Sequence, residues 1–209
     1  MPLYTIPEDS YYSNGKKFPA LKPNVIGFDF KFKLFPSAFY RAIRPDIQKI
    51  GGVTLDPLKQ QILRLGYRCI DYKGGLLPSG TAELHAYPSL NGRYVVGPRK
   101  IGTIIENQEY YGTVLYNRDV KKVTYTVYGF SNEPVIKIYD FNCSQFSIFG
   151  IGGYMQYPYF EDNGFPAPHD MDFDVTIIPL YGSSISKMDN FGRSAWGLIK
   201  APGQWISIL

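Results

Sequence analysis

The sequence predicts an all-β protein, a two-sheet antiparallel sandwich with one or two short helices and extended terminal arms. Composition is the first observation, because 18 Tyr and 14 Phe favour strands while 21 Gly and 16 Pro favour turns. The second is that apolar and polar residues alternate in several runs, as they do in half-buried strands. The third is that these runs are short and separated by Gly or Pro, which indicates a sandwich or a barrel.

Length and composition predict one large domain with two arms. The chain has 209 residues, of which 44% are hydrophobic and 19% charged, so it is globular. A chain of this length buries roughly 70% of its unfolded surface, enough for a core without disulfides or metals. We predict an N-terminal arm over residues 1–24, a sandwich over 25–181 and a C-terminal arm over 182–209.

Charge, hydropathy and cysteine content argue against a nucleic-acid partner, a membrane helix and a disulfide framework. The net charge is only +4 and no block of Lys and Arg exceeds two residues, so we predict no nucleic-acid partner. No apolar run approaches the ~20 residues of a membrane helix, and the N-terminus lacks the features of a signal peptide. Cys69 and Cys143 are expected as buried free thiols, with a single bridge as the alternative.

The first third of the chain predicts an arm, a strand and a long connection. The arm contains four prolines among its tyrosines, and the prolines keep it from forming a regular element. Phe28, Phe30 and Phe32 then alternate with charged residues, which is the clearest strand pattern in the sequence. Residues 36–61 are expected to be a long connection with helical turns at 37–43 and 56–61, separated by a flexible Gly pair.

Short strands follow at regular spacing. They are predicted at residues 62–70, 81–87, 93–96, 100–105, 112–116, 121–130, 135–141 and 144–151. Asn91 and Gly92 are typical of a two-residue hairpin turn.

Residues 154–177 predict a strand, a loop and a second strand. The aromatic run 154–160 suits a half-buried pleat, and Pro166 and Pro168 prevent the loop from continuing either ladder. Met171, Phe173 and later apolar residues then alternate with polar ones, giving one buried and one wet face.

Three groups of segments resemble, in order, a family of bacterial and phage-borne concanavalin A-like β-sandwich proteins. The segments are FDFKFKLFPSAFY at 28–40 with DIQKIG at 46–51; LRLGYR at 63–68 with AELHAY at 82–87 and NG at 91–92; and YPYF at 157–160 with APHDM at 167–171. The family carries two glycines after its Pro-Tyr-Phe segment, where this chain has Glu161 and Asp162. The resemblance implies a jelly-roll sandwich of lectin-like ancestry, and it implies no catalytic residues because the family has no settled activity.

The most regular set of acids lies on the last predicted strand. Asp170, Asp172 and Asp174 are two residues apart and share one face of a continuous strand. Laminarinase-type glycosidases on related sandwiches also align acids along one strand, but they use glutamates, whereas these are short aspartates. We therefore interpret them as a solvated strand face and expect that the chain is not an enzyme.

Ligand sites are predicted around the loop after residue 160. Glu161, Asp162 and Asp170 offer the oxygen ligands that Ca²⁺ prefers, although without the spacing of a calcium loop, so the main expectation is no cofactor. Aromatic rings beside polar groups suit a sugar, and the glycan candidates are Tyr157, Tyr159, Asn163, His169 and Asp170.

Two pairs of polar residues on other predicted strands are weaker candidates for a functional site. Glu83 and His85 share one strand face, which is typical of a surface or cross-strand pair. Arg64 and Arg68 flank Gly66 and would suit an anion clamp, although such residues are more often plain surface charge.

These observations favour a structural or adhesion component of a larger assembly. The expected form is a phage-type virion protein, such as a capsid decoration or a head or tail accessory, made in the host cytoplasm. Its terminal arms would clasp other structural proteins or copies of itself through Tyr4, Tyr11, Tyr12, Trp196 and Trp205, and its sandwich would touch surface glycans. The alternatives are a lectin module that acts alone and, third, a polysaccharide-cleaving enzyme.

Overall fold

A computed structural model describes most of the chain, and its strands form two antiparallel sheets. The described residues are 3–13, 19–40, 46–56, 58, 61–69, 77–90, 93–94, 99–130, 134–140, 152–160 and 165–182. Within these ranges there are thirteen strands and a single three-residue 3-10 helix, Pro36–Ala38. The all-β prediction is confirmed.

The strands are numbered in chain order. They are β1 Leu3–Ile6, β2 Val25–Leu34, β3 Gln48–Thr54, β4 Gln61–Arg68, β5 Thr81–Ala86, β6 Ser89–Leu90, β7 Arg93–Tyr94, β8 Arg99–Ile105, β9 Glu109–Asn117, β10 Lys122–Tyr128, β11 Val135–Asp140, β12 Met155–Gln156 and β13 Met171–Tyr181. The six-stranded sheet has the order β1-β13-β2-β9-β10-β11. The seven-stranded sheet has the order β12-β3-β4-β5-β8, with β6 paired to β4 and β7 paired to β6.

The core lies between the sheets and contains the alternating side chains that the sequence marks as apolar. On β2, Phe30 stacks on Phe32, and Phe32 stacks on Tyr110 of β9. Alternation in the sequences of β2, β10 and β13 predicts that nine apolar residues point inward, and all of them are buried except Ile177, which is half-buried. The buried members are Phe28, Phe30, Phe32, Val123, Tyr125, Val127, Phe173 and Val175.

The long connection predicted over residues 36–61 is wrong in its centre. Gln48–Thr54 is a strand with every residue buried, paired with β4 on one side and β12 on the other. The strand is difficult to predict from its sequence, QKIGGVT, because neither of its faces contacts solvent and its apolar and polar residues therefore do not alternate. The helical turn expected at 56–61 is also absent from its described part: Asp56 accepts hydrogen bonds from the backbone N–H groups of Leu58 and Gln61, and β4 begins there.

Other expected elements are shorter than predicted or fall outside the described residues. The helical turn at 37–43 is reduced to the 3-10 helix, with 41–45 not described. The aromatic run 154–160 contains only the two-residue strand β12 and isolated bridges at Tyr154 and Tyr159. Leu90 pairs with Arg93, as a two-residue hairpin loop requires, although residues 91–92 themselves and the strand predicted at 144–151 lie outside the described ranges.

The segment predicted as the N-terminal arm contributes a strand to the sandwich. β1 pairs with β13 at the edge of the six-stranded sheet, and the Thr5 hydroxyl donates to Asp172 at 2.7 Å. Tyr4 is buried and its ring centroid lies 5.1 Å from that of Tyr157. Tyr4 is therefore corrected from an arm residue to a residue of this chain's own core, while Trp196 and Trp205 lie outside the described residues.

Cys69 is a free, buried thiol, as expected, and Cys143 is not described. Burial raises the pKa of the Cys69 thiol to about 11, which keeps it protonated at neutral pH. Among the residues that the structure describes, no helix has the length and apolar character needed to cross a membrane.

Candidate functional site

The strands β3, β4 and β5 of the seven-stranded sheet are buried on both faces, and their outward face is largely polar. Along β4, Leu63, Leu65 and Tyr67 point into the core, so the alternate residues Arg64 and Arg68 point outward. The outward side chains are nevertheless mostly buried. We call this set the polar sheet face; it comprises Lys49, Arg64, Arg68, Glu83, His85, Tyr87, Lys100, Gln156 and Tyr159.

Strand register brings these side chains together from five segments. In one row across the sheet, Tyr159 pairs with Lys49, Lys49 with Gly66, and Gly66 with His85. Such a row spans roughly 14 Å, because neighbouring strands are about 4.8 Å apart. Gly66 has no side chain, and the side chain of Ile47 fills the space that a Cβ at this position would take. A Cβ at Gly66 would lie 2.8 Å from the Gln48 carbonyl oxygen, so the packing of β3 requires glycine there.

Arg64 is a buried cation with neutral partners. One guanidinium nitrogen donates to the Ser89 hydroxyl at 2.9 Å, and the other donates to the Tyr159 hydroxyl. The guanidinium carbon lies 4.5 Å from the Tyr87 ring centroid, and Nε has no hydrogen-bond partner among the described residues. None of the ion pairs between described residues includes Arg64. A buried charge of this kind is costly unless an anion compensates it, so the site favours anionic ligands.

Lys49 adds a second buried cation beside the same two rings. Lys49 is 2% exposed, and Nζ lies 5.3 Å from the Tyr159 ring centroid and 5.6 Å from that of Tyr87. Both aromatic rings therefore lie within cation–π distance of two positive groups. Tyr159 itself is half-buried, so it forms an edge of the polar sheet face that solvent reaches.

Glu83 is the carboxylate at the centre of the remaining cations. It accepts from Arg68 Nε at 2.8 Å and Nη2 at 2.7 Å, from His85 Nε2 at 3.1 Å and from Lys100 Nζ at 3.0 Å. Burial by itself would raise the pKa of Glu83, but hydrogen bonds from Lys100, Arg68 and His85 outweigh burial and lower it. Glu83 is therefore ionised at neutral pH.

His85 is held uncharged at neutral pH. Burial and the neighbouring Arg68 lower its pKa to about 4, although Glu83 acts in the opposite direction. Nδ1 is buried and has no hydrogen-bond partner among the described residues. An uncharged imidazole with one unpaired nitrogen is able to accept a proton, which is the property of a general base.

The residues predicted from sequence as a glycan site do not lie together. Only Tyr159 belongs to the polar sheet face. Tyr157 packs on Tyr4, His169 Nε2 lies 2.7 Å from the Ser37 carbonyl oxygen, and Asp170 accepts from the backbone N–H of Glu8. Tyr157 and Asp170 thus hold the N-terminal segment, and His169 contacts the 3-10 helix. Asn163 lies outside the described residues.

The metal candidates and the aspartate series give no site in the described part of the chain. Glu161 and Asp162 are not described, and the described residues contain no group of three His, Cys, Asp or Glu side chains arranged to hold a metal. Asp172 accepts from Thr5 and Ser37, and Asp174 is buried next to β1. Asp170 and Asp172 thus tie β13 to the N-terminal segment, and of the three aspartates only Asp170 is exposed as expected.

The sequence indicates some residues of the polar sheet face but does not show that they lie together. The Glu83–His85 and Arg64–Arg68 pairs each appear as residues on one strand face. The register that places Gly66 beside His85 and Arg68 beside Glu83 is tertiary information. Lys49 was missed because β3 was not recognised as a strand. The weak available signal was a lysine and a glutamine inside a Gly-containing run between two stronger strands.

Several solved structures are similar to this chain. No protein-family model matches the sequence, and no curated protein matches it. An alginate lyase from Klebsiella pneumoniae aligns with a TM-score of 0.47 at 13% identity over 77% of this chain, which spans about three fifths (61%) of that protein. A seed lectin from Lotus tetragonolobus aligns with 0.45 at 11% identity, covering 86% of this chain and 89% of the lectin. The CBM2 module of the evolved Dit protein of Lactobacillus casei BL23 phage J-1 aligns with 0.42 at 13% identity, covering 87% and 69%.

These likenesses agree with the concanavalin A-like sandwich that the sequence resembles, and at such identities they describe the fold alone. The expectation that the chain is not an enzyme is wrong as an inference from the fold, because this fold also occurs in enzymes. It was drawn from a lectin-type fold without a visible catalytic motif, and structures similar to this chain include alginate lyases. The aspartates considered for catalysis lie on the six-stranded sheet, whereas the polar sheet face lies on the other one.

Proposed function

We propose that the polar sheet face binds an acidic polysaccharide and cleaves it by β-elimination. The observation that carries this proposal is the environment of Arg64, a buried cation without a carboxylate partner among the described residues, hydrogen-bonded to Tyr159. An uncharged histidine lies across the same face. A carboxylate anchor, a proton donor and a proton acceptor are the three groups that elimination on a uronic acid requires.

The charge of the face supports an anionic ligand. Lys49, Arg64, Arg68 and Lys100 are cationic, Glu83 is the carboxylate among them, and His85 is neutral. Interactions with a ligand carboxylate are strong in such a partly dry site because the effective dielectric constant is low. The rings of Tyr87 and Tyr159 add flat apolar surfaces beside the cations, which suits sugar rings.

The face supports elimination better than hydrolysis. Hydrolysis of a glycosidic bond uses two carboxyl groups on opposite sides of the bond. Within the described part of the polar sheet face there is one carboxylate, Glu83, and its oxygens are engaged by Arg68, His85 and Lys100. Elimination has no such requirement, because it consumes no water and needs only one base and one acid.

Arg64 binds the uronate carboxylate and stabilises the charge that develops as the C5 proton leaves. His85 accepts that proton at Nδ1, the C4–C5 double bond forms, and the bond from C4 to the glycosidic oxygen breaks. Tyr159 donates its hydroxyl proton to the departing oxygen, and Arg64 also stabilises the resulting phenolate. Transfer of the proton from His85 to Tyr159 through solvent restores both groups.

The direct test is to incubate the full-length protein with polyuronates, with alginate first, and to follow the ultraviolet absorbance of the new C4–C5 double bond. A neutral β-glucan gives no such signal. We expect Tyr159→Phe and His85→Gln to lower the rate by about 10²- to 10⁴-fold, as expected for loss of a general acid or base. Tyr111→Phe, on the outward face of the six-stranded sheet, is the matched control and keeps the wild-type rate.

Two results would contradict the proposal. If Tyr159→Phe cleaves at the wild-type rate, Tyr159 is not the proton donor. If the protein binds a polyuronate but forms no double bond, the alternative of a lectin-like module is favoured. The assembly role in a virion stays a prediction. Its remaining described anchors, Tyr11 and Tyr12, are exposed, and deletion of residues 183–209 with loss of incorporation is its test.

A further inference from the structure

We propose that Glu83 is a positioning residue that holds His85 in the Nε2–H tautomer and so leaves Nδ1 as the proton acceptor. The tautomer follows from contacts in the structure, whereas its use in catalysis rests on the proposed function. Glu83 does not touch the substrate in this proposal, because its oxygens are already engaged by protein groups.

The hydrogen-bond chemistry of Glu83 determines the tautomer. An ionised carboxylate only accepts hydrogen bonds. The His85 atom that lies 3.1 Å from Glu83 Oε2 is Nε2, so Nε2 must carry a hydrogen. A neutral imidazole has a single N–H, and therefore Nδ1 carries the lone pair. In the other tautomer the Nε2 lone pair would face the carboxylate oxygen, and two acceptors at that distance repel each other.

The cations on the two strands that flank β5 act on His85 in the same direction. Arg68 on β4 and Lys100 on β8 hold Glu83 in its ionised form. The same two cations oppose a second proton on the imidazole. His85 is therefore neutral and fixed in one tautomer, the form that a base acting through Nδ1 requires.

The tautomer can be read directly because the chain has only two histidines, His85 and His169. Long-range ¹H–¹⁵N correlation spectra of the full-length, ¹⁵N-labelled protein at pH 7 distinguish a protonated from an unprotonated ring nitrogen. His169→Gln assigns the two rings. We expect a protonated Nε2 and an unprotonated Nδ1 for His85. An Nδ1–H tautomer or an imidazolium at this pH would overturn the proposal, and this measurement needs no variant of Glu83.

Variants then test the role in catalysis. Glu83→Gln replaces the obligate acceptor by an amide that can also donate, so we expect mixed tautomers at His85. We expect kcat to fall by about 10²-fold or more, with KM changed little, because the substrate contacts remain. Glu83→Asp keeps an obligate acceptor and restores the Nε2–H tautomer and part of kcat. Glu109→Gln, which breaks an exposed ion pair on the other sheet, is the control with a wild-type spectrum and rate.

The outcomes separate this inference from the proposed function. If wild-type protein cleaves polyuronates and Glu83→Gln keeps both kcat and the Nε2–H tautomer, the role of Glu83 is wrong and the elimination mechanism stands. If wild-type protein forms no double bond with any polyuronate while His85 shows the expected tautomer, the proposed function is wrong and Glu83 still positions His85. If Glu83→Gln does not fold, the wild-type spectrum tests the tautomer of His85, and the tautomer and kcat of Glu83→Asp test the role of Glu83.

Discussion

The outward faces of the two sheets contrast sharply. On the six-stranded sheet, β9 and β10 alternate between buried and more exposed residues along their whole length, as expected for strands with one wet face. On the seven-stranded sheet, β3 is buried throughout, and β4 and β5 are buried at all but one position. Burial alternates along the strands of the first sheet because one of its faces contacts solvent. It does not alternate along β3, β4 and β5 because the polar outward face of these strands is also buried.

The same residue types have different consequences on the two faces. Lys31 and Glu109 form an ion pair at 2.6 Å with side chains 28% and 42% exposed. Arg68 and Glu83 form one at 2.7 Å with side chains 11% and 5% exposed. Solvent screens the first pair, so its net contribution is small. The second pair is enclosed, so removing Glu83 leaves the charge of Arg68 without its carboxylate partner.

The largest expected difference between the faces comes from matched glutamate substitutions. Glu83→Gln should lower the free energy of unfolding by about 3 kcal/mol, the lower end of the range for breaking a buried pair, because Lys100 reaches solvent. Glu109→Gln should change it by less than about 1 kcal/mol. Urea unfolding of both variants measures the difference, and equal effects would show that the two faces are equally screened.

A pH titration of stability sharpens the comparison further. The pKa of His85 is about 4 in the folded chain and 6.5 when unperturbed, so the unfolded state binds the extra proton between these values. The free energy of unfolding should therefore fall as pH drops from about 6.5 to about 4, by roughly 2–3 kcal/mol from this residue. His85→Gln should remove that part of the slope. A slope that persists in the variant would assign it to other groups.

A smaller contrast is expected from two isoleucines on outward faces. Ile62 of β4 is 7% exposed, whereas Ile136 of β11 is 56% exposed. Ile62→Thr should cost about 1–3 kcal/mol, because a buried methyl is lost and a hydroxyl is enclosed. Ile136→Thr should lie within about 0.5 kcal/mol of wild type. Thermal unfolding of both variants checks this, and a large effect at Ile136 would indicate that something covers β11.

Much of the six-stranded sheet follows from the sequence. Phe28, Phe30 and Phe32 alternate with charged residues, and Phe173 and Val175 do the same on β13, so their strands and inward faces are predicted correctly. The physical reason is that a strand with one dry and one wet face records its orientation in its own residues. The fold class and the antiparallel sandwich follow from this local pattern.

The seven-stranded sheet and the site depend on the tertiary structure. β3 has no wet face, so Lys49 and the Gly51–Gly52 pair resemble a polar connection in sequence, and the strand is visible only once β4 and β12 pair with it. Tyr4 could not be assigned to the core from sequence because its burial depends on Tyr157, more than 150 residues away.

The sequence by itself determined which residues are able to bind or carry charge, including Arg64, Glu83, His85 and Tyr159. Only the tertiary structure decided that they lie on one enclosed face, because register between strands sets cross-strand neighbours and burial sets the charge of His85. Neither register nor burial is a local property of the strands that supply these side chains.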